Sequence, residues 1–147
     1  MIMTDIRRIS STETYPVRHP VLRRGKPLET CRFEGDERAS TEHYGLFDNG
    51  ELTGVASLFE TRSSYFAEEN QAQLRGMAVL ESHQKKGFGE KLVRFAEEQA
   101  KAKGASLMWF NARIIAVPFY EKCGYSIIGD PFDIGDIGEH FVMFKRL

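Results

Sequence analysis

The strongest constraint on this chain is a change of periodicity between residues 77 and 104. Met77-Ala78-Val79-Leu80 is a continuous apolar run, which is typical of a strand covered on both faces. From Phe88 onward the apolar residues recur close to the period of a helix, at 88, 92, 93, 95, 96 and 100, and Gly104 follows as a C-cap. Gly87-Phe88-Gly89 lies between the two patterns. The sequence therefore predicts a buried strand, a glycine-rich turn and an amphipathic helix in succession.

The start of this helix is suited to bind an anion. The first backbone N–H groups of a helix have no partners within it, and the helix dipole adds partial positive charge there. Gly87 and Gly89 let a phosphate approach without a Cβ in the way, and Lys85 and Lys86 add positive charge. We expect the side-chain amide of Gln84 to fix the loop. The turn is therefore a predicted phosphate site.

Two common phosphate-binding motifs do not fit this turn. A P-loop requires GxxxxGK followed by Ser or Thr, which Gly87-Phe88-Gly89-Glu90-Lys91 does not supply. A dinucleotide fingerprint requires a third glycine three places after the second, where Leu92 stands instead. The predicted ligand must therefore be a phosphate compound of another class.

The rest of the chain predicts a central mixed sheet with helices on both faces. Asn49-Gly50 between two β-prone runs is a hairpin signal, and Pro16 and Pro20 restrict any helix over 15–24 to a short or irregular one. The helix after Gly89 should carry two ion pairs on its outer face, Glu90–Arg94 and Glu97–Lys101. Strands are predicted over 5–9, 43–47, 52–60, 71–80, 107–110, 125–128 and 141–144, a short helix over 118–123, and loops over 25–41 and 129–139.

Charge and cysteine usage exclude several function classes. The formal net charge of −1 gives no basic excess for nucleic acid or an anionic membrane. Cys31 and Cys123 lie outside any CxxC motif, so we expect two free thiols in a reducing cytosol and no zinc site. We expect no signal peptide and no membrane helix, because the first residues lack a basic region before an apolar run and no apolar stretch approaches about 20 residues. A cytoplasmic protein without a bound metal is predicted.

Three ordered motifs resemble those of the GNAT N-acetyltransferases. Gln84-x-x-Gly87-x-Gly89, directly after Met77-Ala78-Val79, resembles the family's Q/R-x-x-G-x-G/A motif. Downstream, Asn111-Ala112-Arg113 and the run 119–125 resemble its Asn-Ala-Arg and Phe-Tyr-x-x-x-Gly-Phe/Tyr elements. Together they cover the chain from Leu74 to Tyr125 and are more specific than any one alone.

The resemblance implies one GNAT domain over 1–147, with a mixed, mainly antiparallel sheet of about six or seven strands, splayed near its centre, and about four helices. It implies acetyl transfer from acetyl-CoA to a primary amine of a small molecule or peptide by direct attack, without a metal. Tyr120 would be the general acid that protonates the leaving thiolate. A homodimer is common in the family. The implied CoA contacts are Met77, Ala78 and Val79 through their backbone, the loop residues Gln84, Lys85, Lys86, Gly87, Phe88 and Gly89, and Asn111.

The general base and the acceptor stay open at this level. An alkyl ammonium must lose a proton before it attacks, and some family members use a Glu on the motif strand, where this chain has Gln71 and Gln73. The remaining candidates for the base are Glu34, Asp36, His43, Glu60 and Glu81. In the family the region after the first strand lines the acceptor side. A substrate carboxylate could therefore pair with Arg18 or Arg23 of the basic cluster Arg18, His19, Arg23 and Arg24, unless that cluster is a solvated surface.

Three alternatives remain. Tyr120 would equally suit the core as a packing aromatic. The fold could hold acyl-CoA as a sensor or interaction module without turnover. The glycine loop could also bind nothing, in a small α/β interaction domain.

Overall fold

The computed structural model describes residues 3–135 and 137–147. Within them seven strands form one sheet: β1 (Thr4–Ile9), β2 (Glu42–Asp48), β3 (Glu51–Phe59), β4 (Gln71–Val79), β5 (Leu107–Arg113), β6 (Ser126–Ile134) and β7 (Gly138–Arg146). The strand order is β1-β2-β3-β4-β5-β7-β6, and every neighbouring pair is antiparallel except β4 with β5. The predicted mixed, mainly antiparallel sheet is therefore confirmed.

Helices cover both faces of this sheet: α1 (Tyr15–Leu22), α2 (Phe88–Ala102) and α3 (Val117–Lys122). The apolar side of α2 packs on one face, where Leu92, Val93 and Ala96 join the largest core cluster. Val17 of α1 packs on the other face against Val55 and Ala78. None of the helices in the described ranges combines the length and apolar character that crossing a membrane requires.

The hairpin turn and the helix end predicted from local sequence are both present in the structure. Asn49 and Gly50 connect β2 to β3 with φ angles of 51° and 86°, the left-handed geometry of a tight hairpin turn. Gly104 has φ 88° just beyond α2 and ends that helix. These positions depend on backbone sterics within a few residues, so the sequence alone identifies them.

One of the two ion pairs predicted for the outer face of α2 is wrong. Glu90 and Arg94 are 3.7 Å apart, as predicted. Glu97, however, is only 7% exposed and faces the core. Its carboxylate accepts a hydrogen bond of 2.8 Å from the Tyr125 hydroxyl and two of 3.2 Å from Lys145 Nζ. A buried carboxylate requires such partners, and they come from segments distant in sequence.

The prediction of a loop over 129–139 is also wrong. β6 continues to Ile134 and β7 already begins at Gly138. The β6–β7 register shifts between Ile128 and Phe132, and Gly129 within that irregularity has φ 78°. As β6 is an edge strand, a bulge can accommodate the glycine and proline of this segment without interrupting the sheet.

Candidate active site

The sheet opens between its two parallel strands. β4 and β5 pair only over Gln71–Gln73 with Leu107–Trp109. The pairing of β4 with β3 explains the divergence: Val55 pairs with Ala78 and Ser57 with Arg75, so two residues of β4 oppose one of β3. This is a β-bulge, and it bends the strand locally. The splayed centre that the family resemblance implied is present.

Gly76 forms the bulge and is tightly enclosed. Its φ is 64°, which favours glycine, and a Cβ there would lie 2.9 Å from the Phe33 ring and 3.2 Å from Arg18 Nε. The bulge therefore rests on the loop before β2 and on the side chain of Arg18. A residue with a side chain would strain the backbone and displace both neighbours.

Arg18 is a buried structural residue, so its predicted pairing with a substrate carboxylate is wrong. It is 0% exposed. Its guanidinium donates hydrogen bonds of 2.6 and 3.1 Å to Asp36, and further bonds of 3.0 Å to Ser57 Oγ and 2.7 Å to the Cys31 carbonyl. The charge is neutralised within the protein. The basic cluster read from the sequence thus separates into a structural arginine and others that remain accessible.

None of the five candidates for the general base lines the opening. His43 is held at both ring nitrogens, by Ser57 Oγ at 2.6 Å and the Asp36 carbonyl at 2.8 Å, and burial lowers its pKa. The Asp36 carboxylate is bonded to Arg18. Glu34 is exposed next to Arg75, which donates a hydrogen bond to its carbonyl. Glu60 and Glu81 are exposed away from the lining of the opening. None of the five therefore lies in that lining, where a base would meet the acceptor.

The opening, called here the cleft, connects the two faces of the sheet. Residues that alternate along its strands point to opposite sides. Leu74 and Phe110 belong to the core under α2, so Arg75 and Asn111 point to the face that carries α1. We call these sides the α2 face and the α1 face. A molecule bound from each face can meet the other within the cleft.

The α2 face carries the glycine loop. Gly87 caps α2 with φ 80°, and the Gln84 amide donates a hydrogen bond of 3.0 Å to the Val79 carbonyl, which ties the loop to β4 as expected. No side chain of the described residues caps this helix start. Phe88 is buried, so it offers only its N–H, and a Cβ on Gly89 would lie 3.2 Å from the Phe119 ring. The free N–H groups and the missing Cβ suit an anionic ligand.

Tyr120 lines the cleft from α3 and is partly buried. Its ring lies 4.2 Å from that of Phe110 and 5.0 Å from that of Phe119, centroid to centroid. Burial raises the pKa of Tyr120, and the neighbouring Cys123 adds to the rise. Its hydroxyl makes no hydrogen bond with the part of the chain that the structure describes. The phenol therefore stays neutral and keeps its proton for a ligand.

Asn111 does not lie at a strand end, as the predicted strand over 107–110 implied. β5 extends to Arg113, so Asn111 lies within the strand and not at its end. It stands two residues beyond Trp109, the last β5 residue paired with β4, and it lines the cleft. The apolar run ends at Phe110, which is why the sequence predicts too short a strand. Met77 also lines the cleft, while Ala78 and Val79 contribute to the core on either side of β4.

Two residues of the α1 face were missed as site residues by the sequence analysis. Arg75 lines the cleft together with the expected Arg23, and His140 lines it from β7. Arg75 follows Gln73 at strand spacing in an otherwise apolar segment, and this alternation was a usable signal. His140 had none, since it lies between the loop predicted over 129–139 and the strand predicted over 141–144. Among the described residues, no group of His, Cys, Asp and Glu side chains is arranged to hold a metal ion.

Comparison with known proteins identifies relatives of the whole chain. The N-acetyltransferase YitI of Bacillus subtilis (strain 168), named as uncharacterized, is 35% identical over 145 residues, which cover 99% of this chain and 97% of YitI. A Bacillus subtilis acetyltransferase in complex with CoA superposes with a TM-score of 0.68 at 23% identity, covering 100% and 99% of the two chains. An aminoglycoside 6'-N-acetyltransferase complexed with coenzyme A superposes with a TM-score of 0.77 at 15% sequence identity, covering 97% of this chain and 96% of that chain.

The family assignment rests on the sequence itself. Residues 3–125 match the model of the Acetyltransferase (GNAT) family, and this range includes β4, the glycine loop and α3. The structural neighbours have the same fold. The chain is an acetyltransferase and belongs to the GNAT family.

Proposed function

We propose that the protein transfers an acetyl group from acetyl-CoA to a primary amine of a small molecule or peptide by direct attack on the thioester. The observation that carries this proposal is the cleft through the sheet. On the α2 face an uncapped helix start suited to a pyrophosphate lies beside the cleft, since a Cβ on Gly89 would be 3.7 Å from the side chain of Met77, which lines the cleft. The α1 face offers room for a second ligand. The CoA complexes of two structural neighbours support acetyl-CoA as the donor.

The donor would be held mainly by backbone groups. The N–H groups of Phe88 and Gly89 would bind the pyrophosphate, with Lys85 and Lys86 nearby as counter-charges. Beyond Gln73, the edge of β4 that faces β5 has no strand partner, so its N–H and C=O groups are available to the pantetheine arm. A β4 N–H near the bulge would also polarise the thioester carbonyl.

The reaction requires one proton to leave the amine and one to reach the thiol. The amine nitrogen forms a bond to the thioester carbon, the C–S bond then breaks, and its electron pair stays on sulfur. Tyr120 would donate its hydroxyl proton to this sulfur and recover a proton from water. Burial disfavours the phenolate, but it also makes a thiolate in the same cleft more basic, so the two pKa values rise together and their difference stays small. No metal takes part in this scheme.

Two measurements test the proposed function. Calorimetry should detect CoA binding, which a fold with an inert glycine loop would not give. A thiol assay should then detect free CoA when acetyl-CoA and a panel of amines are added. Binding of acetyl-CoA without release of CoA across the panel would support a sensor and contradict the enzyme. We place the reaction in the cytoplasm, and the two buried free thiols, Cys31 and Cys123, support this location.

Substitution of Tyr120 by Phe tests the general acid. The ring contacts with Phe110 and Phe119 remain, and only the hydroxyl is lost. We expect turnover to fall by roughly 100-fold, the lower range for loss of a positioned acid, while the affinity for CoA stays unchanged. Steady-state kinetics and calorimetry on the same preparation check both. Wild-type turnover in the variant would assign protonation of the thiolate to water.

A further inference from the structure

We propose that the acceptor amine carries a carboxylate, and that Arg23 and Arg75 bind it on the α1 face. This inference rests on the proposed function and specifies its substrate class. The two arginines approach one side chain from different elements: their guanidinium carbons lie 5.0 and 5.2 Å from the centre of the Phe33 ring. The end of α1 and the strand β4 thus bring two positive charges to the same wall of the cleft.

Among the described residues, neither guanidinium forms a salt bridge, although the Asp36 and Glu34 carboxylates act on Arg75 from a longer distance and partly offset the lowering of its pKa by burial. Arg23 donates hydrogen bonds only to carbonyl oxygens, at 3.3 Å to Thr30 and 3.0 Å to Leu22. Arg75 donates one of 3.3 Å to the Glu34 carbonyl. These bonds orient the two side chains and leave other N–H groups free. A planar guanidinium binds a carboxylate through two parallel hydrogen bonds, so the pair is well suited to one.

The charge of the surrounding cleft also favours an acceptor with a carboxylate. Its charged lining residues within the described ranges are all arginines, Arg23, Arg75 and Arg113. The buried carboxylate of Asp36, which also acts to raise the pKa of Arg75, is bonded to Arg18. Burial lowers the pKa of Arg75, because desolvation disfavours the charged form of its guanidinium. An acceptor with a second positive charge would be repelled, whereas an amino acid or another amine with a carboxylate would be attracted.

Matched acceptors test this inference. A set of amino acids and ω-amino acids is compared with the corresponding carboxamides, which keep the amine and the shape but lack the negative charge. We expect wild-type kcat/KM to favour the acids by roughly 10- to 100-fold, from hydrogen bonds to a charged group. Arg23→Gln and Arg75→Gln should each abolish most of this preference by raising KM for the acids alone. Arg24→Gln is the control, because Arg24 is exposed and does not line the cleft.

The outcomes separate the two levels of the proposal. Equal use of acids and carboxamides by the wild type would overturn the carboxylate site and leave the acetyl transfer intact. If neither series releases CoA while another amine of the panel does, the carboxylate site is overturned and the proposed function stands. If no amine of the panel releases CoA, the proposed function itself is contradicted. Melting temperature and CoA affinity of each variant must match the wild type. A variant that fails to fold is replaced by Arg→Lys, which keeps the charge and loses the paired hydrogen bonds.

A different observation supports a second inference: we propose that His140 is the general base. Its Nδ1 lies 2.8 Å from the carbonyl oxygen of Gly138. A carbonyl oxygen only accepts, so Nδ1 carries a hydrogen, and Nε2 is the atom that gains or loses a proton. Nε2 has no partner among the described residues, and the side chain lines the cleft. Arg113 lies opposite in the β5 register and the Phe132 ring lies on β6.

The placement of His140 fits this role. His140 lines the cleft from the α1 face, where the acceptor would bind. Tyr120 lies on α3 and packs against Phe110 on the α2 face. His140 Nε2 would take the proton of the acceptor ammonium and release it to water, and Tyr120 would protonate the sulfur. The two proton transfers then occur on opposite sides of the thioester and use separate groups.

His140→Asn tests the base, since the Asn amide can still donate to the Gly138 carbonyl. We expect kcat/KM at neutral pH to fall by roughly 100-fold, within the range for a positioned base. The loss should shrink as the pH approaches about 10, where an alkyl amine deprotonates unaided. An unchanged rate at neutral pH would overturn the assignment. So would the same proportional loss at every pH, which would indicate a structural role.

Discussion

Gly89→Asp is expected to raise the dissociation constant for CoA by roughly 100-fold, from a repulsion of about 3 kcal/mol between the new carboxylate and the pyrophosphate. Gly89 is the second residue of α2, at the end where the N–H groups are free. A carboxylate there would occupy the anion site and oppose its charge. Titration calorimetry with CoA measures the effect directly.

Gly89→Asn is the matched control for this variant. Asn has nearly the shape of Asp without the charge, and both place a Cβ 3.2 Å from the Phe119 ring. Phe119 precedes Tyr120, so any displacement of α3 affects both variants equally. We expect Asn to weaken CoA binding much less than Asp. Equal losses in the two variants would mean that packing, and not the anion site, requires glycine at this position.

Asp36→Asn is expected to lower the free energy of unfolding by about 3–5 kcal/mol, because it leaves the buried Arg18 cation without a counter-charge. Arg18 and Asp36 are both nearly inaccessible, and their closest atoms are 2.6 Å apart. Chemical denaturation measures the loss. The affected network lies beneath Gly76. We therefore also expect the variant to bind CoA more weakly, as the bulge that opens the cleft loses its support.

Glu37→Gln, in the same loop, is the control. Glu37 pairs with Arg32 at 2.9 Å, but the two side chains are 58% and 64% exposed. Solvent screens such a pair, so removal of the charge should cost less than about 1 kcal/mol. If Asp36→Asn were as mild as this control, the buried pair would not support the bulge.

The sequence predicted the donor side of the site better than the acceptor side. The glycine loop, the helix it begins and the tie from Gln84 to β4 all follow from signals within a few residues. Tyr120 was found through a motif of the same short range. Their binding and catalytic roles remain predictions that the variants above test. The limits of β5 and β6 were misjudged because strand length depends on neighbouring strands as well as on local composition.

The sequence by itself determined where the chain turns and where a helix presents free N–H groups, because backbone sterics and periodicity act over a few residues. Only the tertiary structure decided what each charge does. Arg18 and Arg23 lie in one basic cluster, yet Arg18 is buried, neutralised by Asp36 and hydrogen-bonded to Ser57, while Arg23 lines the cleft. The partners come from other segments, and burial makes their pairing obligatory. Local signals are therefore enough to predict an anion site at the glycine loop, whereas the long-range fold decides which charged groups line the cleft.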